Sequence, residues 1–346
     1  MAEKQPLVKC VVWDLDNTLW DGILLESDHV RLKSEIPDIL KTLGARGIVH
    51  SIASKNDGEM AMRKLEEFGI ADYFLYPQIN WNAKSASIHQ IQQCLNIGME
   101  TILFLDDEAY EREEVNSVHQ DVTCWDASEI AVLLDHPRLN PPYVTEDAKR
   151  RRLMYLEEIQ RKTEKQEFKG PTAEFLASLD MKLIISEAQE DDLPRAEELT
   201  VRTHQLNATG RTYRYAVLKR FCSSDTHKLF VCELKDRFGS YGKIGLALVQ
   251  ITEEVWHLKL LLVSCRVISR GIGTILLSFI MQQAKAAGKT LLADFTKTKQ
   301  NAMMLVAYRF ANFQERSSDD AGKIVFENDL SRIQPFPPYI DVVYTS

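Results

Sequence analysis

The chain has 346 residues, of which 45% are hydrophobic and 27% are charged, and this composition is typical of a soluble globular protein with two domains. A formal net charge of −8 argues against a nucleic-acid partner, and the lack of any long apolar stretch argues against a membrane partner. The chain start has no signal-peptide pattern and the six cysteines include no Cys-x-x-Cys pair, so we predict a cytoplasmic protein with reduced thiols.

The first 140 residues alternate short apolar runs with amphipathic stretches. We predict helices at 59–68 and 84–95, and strands at 9–14, 48–53, 73–76, 101–105 and 121–125. Such alternation favours a doubly wound α/β domain, in which helices cover both faces of a parallel sheet. Only 35 residues separate Thr18 from Ser54, which is too few for a large cap domain. We therefore expect an open site that suits a bulky substrate.

The first predicted strand ends in two acidic residues, Asp14 and Asp16. Residues i and i+2 of a strand point to the same side, so the two carboxylates make a poor core and a good site for a hard cation such as Mg²⁺. With the metal suppressing repulsion, Asp14 would act as a nucleophile towards phosphate. Asp16 would give a proton to the leaving group and later take one from water. The simpler alternative is an acidic turn after a strand.

Polar side chains also follow the later strands of this domain. Ser54 ends the second strand, where its hydroxyl can hydrogen-bond a phosphate oxygen. Lys84 begins a predicted helix, where it can neutralise phosphate with the help of the helix N-terminus. Asp106 and Asp107 follow another buried strand and would complete the metal site. The alternative for this last pair is an acidic loop.

These four clusters, in this order, resemble the haloacid-dehalogenase (HAD) superfamily of phosphoryl-transfer enzymes over about the first 130 residues. The resemblance implies that Asp14 accepts the phosphoryl group and that Asp16 acts as acid and base. It implies a Mg²⁺ cofactor held by Asp14, Asp16, Asp106 and Asp107. It also implies a set of residues that bind the substrate phosphate: Thr18, Ser54, Lys55, Asn56 and Lys84.

A proline-rich segment ends the first domain, with Pro137, Pro141 and Pro142 close together. We predict a helical linker over 141–180. Its basic run at 149–152 is either a contact for an acidic partner or a solvated face of the linking helix.

The second domain is predicted at 181–346, with an α+β architecture and a polar C-terminal tail that begins at Glu315. We predict helices at 193–204, 274–287 and 301–310. The predicted strands lie at 181–186, 229–234, 244–251, 255–263 and 291–295.

A glycine turn precedes the long helix of this domain. The sequence Arg270-Gly271-Ile272-Gly273 places backbone N–H groups at a helix start, which is a ready anion site. It resembles the pantetheine-pyrophosphate loop of GNAT acyltransferases, although that family has Gln or Arg where this chain has Ile268. We therefore predict a GNAT-like domain, and the alternative is a turn that only starts a helix. The predicted pantetheine-binding residues are Arg266, Arg270, Gly271 and Gly273.

Cys265 is distinguished from the other cysteines by its position at the end of a predicted strand, next to Arg266 and close to Arg270. Nearby cations and helix starts lower the pKa of a thiol, and the thiolate is the reactive form. An acyl thioester on this sulfur would split a difficult transfer into two easier steps. The alternative is a buried structural cysteine.

Together the motifs resemble the FkbH-like family of polyketide pathways over nearly the whole chain. The segments that carry the resemblance are 14–20, 54–57, 80–84, 106–107 with 111–112, 236–239 and 264–266. Members are similar to glyceryl transferase/phosphatases, so the resemblance implies D-1,3-bisphosphoglycerate as the phosphorylated three-carbon donor. Its acyl group would pass through a thioester on Cys265 to the phosphopantetheine thiol of an acyl carrier protein, and phosphate would be removed.

Two segments depart from the family pattern. Asp21-Gly22 stands where the family has Gly-Gly, and His204-Gln205-Leu206-Asn207 stands where it has Asn-Gln-Phe-Asn. Two rival functions stay open. One is a metal-dependent phosphatase whose second domain only recruits substrate or carrier protein. The other is a carrier-binding module with an inactive HAD site, against which the intact acidic residues argue.

Overall fold

A computed structural model describes residues 6–27, 29–319 and 322–345 of the chain. The chain forms two compact units, residues 1–159 and 160–346, and the division falls inside the segment predicted as a linker. Within the described residues, no helix combines the length and the apolar character needed to cross a membrane.

The first unit alternates strands and helices. Its strands are β1 (Cys10–Trp13), β2 (Trp20–Asp21), β3 (Arg31–Leu32), β4 (Val49–Ser54), β5 (Gln78–Ile79), β6 (Ile102–Asp106) and β7 (Thr123–Asp126). Its helices are α1 (Ile36–Ala45), α2 (Gly58–Glu67), α3 (Lys84–Leu95), α4 (Ala109–Val118) and α5 (Glu146–Lys149), while α6 (Arg151–Glu167) crosses the division. Five strands form a parallel sheet in the order β5-β4-β1-β6-β7.

Both faces of this sheet are covered, and the central strand shows why. All four residues of β1 are buried. Cys10 and Val12 belong to the apolar cluster on one face, and Val11 and Trp13 belong to the cluster on the other face. A strand that is buried on both faces must be apolar at successive positions. The predicted doubly wound α/β architecture is therefore confirmed.

The predicted strand at 73–76 is wrong. Residues Ala71–Tyr73 form a 3-10 helix, and the strand that pairs with β4 is Gln78–Ile79. Phe74 and Leu75 are buried like strand residues. However, Phe74 makes only an isolated bridge to His50 before Tyr76, with a φ of 51°, turns the chain. The last strand of the sheet begins at Thr123 rather than at 121, and helices α1 and α4 were not predicted.

The segment between β1 and α1 provides only a small cover for the sheet edge. Here β2 and β3 form an antiparallel ribbon in which Trp20 pairs with Leu32 and Asp21 pairs with Arg31. No other strand or helix occurs among the described residues of this segment. The expected minimal cap is confirmed.

The second unit contains a mixed sheet with helices on both faces. Its strands are β8 (Met181–Glu187), β9 (His227–Asp236), β10 (Gly239–Ile251), β11 (Val255–Val263), β12 (Thr290–Thr296), β13 (Gln314–Ser318), β14 (Lys323–Asn328) and β15 (Ile340–Thr345). Its helices are α7 (Thr172–Ser178), α8 (Leu193–Arg202), α9 (Tyr215–Cys222), α10 (Ile272–Ala286) and α11 (Ala302–Phe310). The strand order is β13-β14-β12-β11-β10-β9-β8-β15.

Pairing directions in this sheet are mixed. Strands β8 to β11 form an antiparallel meander, whereas β12 runs parallel to β11 and β15 runs parallel to β8. One apolar cluster includes residues of α10 and α11, and a second on the other face includes residues of α8 and α9. The predicted α+β architecture is therefore confirmed.

The prediction of a polar tail after Glu315 is wrong. This segment contains the strands β13, β14 and β15, and β15 extends the sheet beside β8. All five residues of β13 are exposed, so an edge strand of this composition has no apolar pattern that the sequence could reveal. Helix α9 was also not predicted.

A buried ion pair fixes the turn between β9 and β10. Arg161 donates from Nε and Nη2 to the two oxygens of Asp236, at 2.6 and 2.7 Å, and both side chains are almost completely buried. The Tyr241 hydroxyl donates to Asp236 at 2.9 Å, and the Arg161 guanidinium lies 4.1 Å from the centre of the Tyr241 ring.

We expect the substitution Asp236→Asn to destabilise the protein by about 3–5 kcal/mol, because it removes the negative charge that pairs with a buried guanidinium. Urea unfolding would measure the loss. The matched control is Glu327→Gln, which breaks the exposed pair between Glu327 and Arg316 and should cost less than about 1 kcal/mol. Equal losses of unfolding free energy for the two substitutions would show that the buried ion pair stabilises the protein no more than the exposed one.

Candidate active site

The parallel sheet of the first unit brings three predicted site residues to one edge. Strand β1 lies between β4 and β6 and pairs with both. Asp14 directly follows β1, Ser54 ends β4, and Asp106 ends β6. Because the strands are parallel, their carboxyl ends meet at the same edge, which is where ligands bind in open α/β sheets.

Lys84 is the cation at the centre of this edge. It begins α3, and only 5% of its side chain is exposed. Its Nζ lies 2.7 Å from Asp14 Oδ1 and 2.5 Å from Asp106 Oδ2. The ammonium group therefore joins the ends of two neighbouring strands in a setting where water cannot screen the charges.

Burial dominates the ionisation of these groups. It raises the pKa of the Asp14 carboxyl to about 7, and Asp106 adds to this rise while Lys84 opposes it. Burial also raises the pKa of Asp106. For Lys84, burial by itself would lower the pKa, but the attraction of Asp14 and Asp106 outweighs it and the pKa is raised. The carboxylates here ionise readily only with more positive charge than Lys84 provides.

A third carboxylate supplies the geometry of a metal site. Oxygen atoms of Asp14, Asp106 and Asp107 all lie within 4.8 Å of one another. Three carboxylates against the one ammonium of Lys84 leave an excess of two negative charges, which one divalent cation would balance. Carboxylate oxygens are the ligands that Mg²⁺ prefers, so these residues fit the predicted cofactor.

Asp16 was predicted as a metal ligand, but its carboxylate is not in this group. Its Oδ1 accepts hydrogen bonds from Trp20 Nε1 at 2.8 Å and from the Leu24 backbone N–H at 3.0 Å. Its Oδ2 accepts from Asn56 Nδ2 at 2.9 Å. These three donors hold the carboxylate in this structure, and the predicted role of Asp16 as a metal ligand stays a prediction. The predicted role of Asp16 in proton transfer stays a prediction.

The predicted phosphate-binding residues fall into two groups. Ser54 is buried and its hydroxyl hydrogen-bonds Asp14, while Thr18 Oγ1 donates to Asp107 Oδ1 at 3.4 Å. Both therefore lie at the acidic cluster. Asn56 instead holds Asp16, and Lys55 Nζ pairs with Glu111 Oε1 at 2.7 Å. In this structure Asn56 and Lys55 therefore contact protein side chains outside the acidic cluster of Asp14, Asp106 and Asp107.

Helix α4 supplies two residues to which the sequence gave no role. Glu111 pairs with Lys55, and Arg112 donates from Nη1 to the backbone oxygen of Asp106 at 2.8 Å. Arg112 also pairs with Asp126 at 2.8 Å. Both stand in the segment 111–112 that helped to carry the family resemblance, but no sequence pattern showed which strand end they contact.

In the second unit, Cys265 directly follows Ser264 at the end of β11 and begins a 3-10 helix. It is partly buried. Arg266 donates from Nη2 to the backbone oxygen of Tyr241 at 3.1 Å, and the buried Arg270 lies 5.0 Å from the centre of the Tyr241 ring. Tyr241 therefore contacts both arginines that were predicted to flank the reactive thiol.

The predicted glycine turn does begin a helix. Gly271 has a φ of 72° and precedes α10, and Gly273 lies in the first turn of that helix. A Cβ atom at Gly271 would lie 3.1 Å from the Tyr339 hydroxyl. Both the positive φ and this close approach require glycine.

Four of the other five cysteines are poor candidates for a reactive thiol. Burial raises the pKa of Cys10, Cys222 and Cys232, and it raises the pKa of Cys124 to about 11. These thiols remain protonated at neutral pH, and the protonated form is the unreactive one.

The segment that departs from the family pattern, at 204–207, leads into a gap in the sheet. β11 and β12 pair only from Val255 to Leu258. Beyond that point the Leu206 oxygen accepts from the Val263 N–H at 2.9 Å, and Ala208 bonds Leu261 and Thr296 on the two strands. The backbone at 206–208 thus joins the diverging strands β11 and β12, and β11 is the strand that leads to Cys265.

No family model matches this chain. Over 137 residues the sequence is 31% identical to magnesium-dependent phosphatase 1 from Homo sapiens, and the match covers 34% of this chain and 77% of that protein. A solved structure of the N-terminal part of BF1531 from Bacteroides fragilis contains a phosphatase domain complexed with Mg. It is 29% identical, with a TM-score of 0.35, over 39% of this chain and 40% of that one.

A second solved structure has a different activity in its name. It is the ribosomal-protein-S18-alanine N-acetyltransferase from Escherichia coli, which is 18% identical with a TM-score of 0.33 over 42% of this chain and 90% of that chain. The human phosphatase is 31% identical to this chain, and the match spans more than two thirds of the length of that phosphatase. On that match, the chain belongs to the magnesium-dependent phosphatase family.

Proposed function

We propose that this protein is a Mg²⁺-dependent phosphatase and acyl transferase. Its donor is D-1,3-bisphosphoglycerate, from which it removes phosphate and whose three-carbon acyl unit it loads through Cys265 onto the phosphopantetheine thiol of an acyl carrier protein. The observation that carries the phosphatase half is the buried Lys84, which bridges Asp14 and Asp106 beside Asp107. The family resemblance of the motifs supports the substrate and the carrier.

In the phosphatase half, Asp14 is the group that attacks phosphorus, because it lies at the centre of the cluster and contacts both Lys84 and Ser54. Lys84 holds the phosphoryl oxygens and keeps the Asp14 oxygen in line. Asp16, fixed by Trp20 and Asn56, carries the proton of the leaving group. A bound Mg²⁺ supplies charge neutralisation between the carboxylates and the phosphate.

In the transfer half, the Cys265 thiolate attacks the acyl carbon of the donor and the acyl phosphate oxygen leaves as phosphate. The carrier thiol then attacks the thioester, which returns the cysteine sulfur and completes the transfer. Support comes from the partial exposure of Cys265, which lets substrate reach the sulfur, and from the adjacent Arg266 and Arg270. Buried thiols such as Cys232 offer neither.

The test is intact-mass analysis after incubation with bisphosphoglycerate, Mg²⁺ and a holo carrier protein. We expect phosphate release, a glyceryl-type adduct on the enzyme and an acylated carrier. Phosphate release with no adduct on either protein would instead favour the phosphatase whose second domain only recruits its substrate.

We expect the substitution Lys84→Ala to lower the turnover of phosphate release by about two orders of magnitude or more, because electrostatic stabilisation of this kind is worth about 3–4 kcal/mol. Phosphate release from a simple phosphate monoester measures it, because the Cys265 step also releases phosphate from bisphosphoglycerate. Lys64→Ala is the matched control, since Lys64 pairs with the exposed Glu67 outside the acidic cluster. A decrease of less than about threefold for Lys84→Ala would show that this lysine has no part in the reaction.

We expect EDTA to stop phosphate release and added Mg²⁺ to restore it, because the excess negative charge of the three carboxylates repels phosphate unless a cation is bound. The measurement is turnover of a simple phosphate monoester in a titration with chelator and then with magnesium. Full activity in EDTA after exhaustive dialysis would contradict the metal site.

A further inference from the structure

A cavity of about 310 Å³ lies in the second unit between α10, the end of α11 and the segment after β14. None of the residues predicted to bind pantetheine or to carry the acyl group lines it. The lining residues that matter to its chemistry are Thr274, Ser278, Met281, Arg309, Phe310 and Arg332.

The charge of this cavity is opposite to that of the whole protein. The chain has a net charge of −8, yet the described residues that line the cavity include two arginines and no carboxylate. In the described part of the chain, neither Arg309 nor Arg332 uses its guanidinium in a hydrogen bond or an ion pair. Two guanidinium groups without counter-charges that face one cavity form a site for an anion, and their planar forks match the oxygens of a phosphate.

The helix ends around the cavity are compatible with an anion. Thr274 lies in the first turn of α10, where the helix dipole is positive. The C-terminal end of α11 would oppose an anion, but its carbonyl groups are already occupied. The Arg309 oxygen accepts from the Asn312 N–H at 3.1 Å, and the Ala311 oxygen accepts from Asn328 Nδ2 at 2.7 Å.

The segment that carries Arg332 is held in place. Lys285 of α10 donates from Nζ to the Leu330 oxygen at 3.0 Å, and the Leu330 N–H donates to Asn328 Oδ1 at 2.8 Å. Leu330, which lies two positions before Arg332, is thus hydrogen-bonded both to α10 and to the end of β14. The wall of the cavity is therefore preorganised, which lowers the cost of binding.

The remaining lining is apolar. Phe310 is 78% exposed, and Met281, which also lines the cavity, is buried. An exposed aromatic ring beside two cations suits a ligand that has both a phosphate and a flat or apolar group. The volume is at the lower end of the range for ligand pockets, about 300–1,000 Å³, so one small molecule fills it.

We propose that this cavity binds a small phosphate monoester, with Arg309 and Arg332 on the phosphate and Phe310 and Met281 against the organic part. This chemistry has two sources, a free nucleoside monophosphate or free 4′-phosphopantetheine. The proposal does not depend on the phosphatase half of the protein or on Cys265.

The test is isothermal titration of the full-length protein in EDTA with AMP, 4′-phosphopantetheine and inorganic phosphate as probes. We expect AMP or phosphopantetheine to bind at least about tenfold more tightly than inorganic phosphate, and the one that binds identifies the source. We expect the double variant Arg309→Ser/Arg332→Ser to bind this probe at least about tenfold more weakly, because each guanidinium makes charge-assisted hydrogen bonds.

Two controls separate this site from others. Arg316→Ser removes the same charge from an arginine that pairs with Glu327 outside the cavity, and it should leave binding unchanged. Lys84→Ala disables the phosphate site of the first unit and should also leave binding unchanged. The proposal is overturned if neither ester binds, if inorganic phosphate binds as tightly as the esters, if the double variant binds normally, or if Lys84→Ala abolishes binding.

Discussion

Replacement of Asp14 by asparagine is expected to lower phosphate release from a simple phosphate monoester by at least about three orders of magnitude, as the loss of a nucleophile does in other enzymes. The amide is a poor nucleophile and a poor ligand for a hard cation. The fold should remain intact, because the new side chain has nearly the same shape and removes a carboxyl group whose pKa burial raises to about 7. Steady-state phosphate release and thermal unfolding measure the two effects.

The matched control is Asp38→Asn, which makes the same chemical change at an exposed position in the first turn of α1. It should leave phosphate release unchanged. Phosphate release by Asp14→Asn at close to the wild-type rate would refute the assignment of the nucleophile. Unfolding of Asp14→Asn at a much lower temperature than wild type would show that Asp14 acts on stability.

Replacement of Cys265 by alanine is expected to remove the acyl adduct from the enzyme and the acyl group from the carrier protein. No other described cysteine combines partial exposure with flanking arginines such as Arg266 and Arg270. Phosphate release from a simple phosphate monoester should be retained, because the Asp14 cluster lies in the first unit. Peptide mapping of the enzyme and intact mass of the carrier measure the adducts.

Cys222→Ala is the matched control. The residue as a whole is exposed, but partial burial of its sulfur raises the pKa of the thiol. The substitution should leave both adducts in place. An adduct mapped to Cys222 or Cys232, or an acylated carrier produced by Cys265→Ala, would show that Cys265 is a structural residue.

The residues at the strand ends were predictable from the sequence because strand geometry fixes them. An apolar run followed by polar residues identifies a buried parallel strand and its carboxyl end. Three such strand ends predicted Asp14, Ser54 and Asp106 as site residues. Lys84 followed from its place at a helix start. The structure added the distances that join Lys84 to two strand ends at once, which no spacing in the sequence contains.

Hydrogen bonds from distant residues explain what the sequence left out. The carboxylate of Asp16 accepts hydrogen bonds from Trp20, Leu24 and Asn56, and the spacing of the acidic residues does not show these contacts. The edge strand β13 is exposed at every position, so it has no apolar periodicity. Phe74 and Leu75 are buried without a strand, since burial alone does not require a hydrogen-bonded ladder.

The central claim is that Asp14 carries the phosphoryl group during turnover. The most direct measurement is rapid acid quench of the enzyme with bisphosphoglycerate and Mg²⁺, followed by borohydride reduction, which converts an aspartyl phosphate to homoserine, and by peptide mapping. The account predicts homoserine at position 14, absent when EDTA replaces Mg²⁺. Unmodified Asp14 at every time point while both phosphates of the donor are released, or homoserine at position 16 instead, would contradict it.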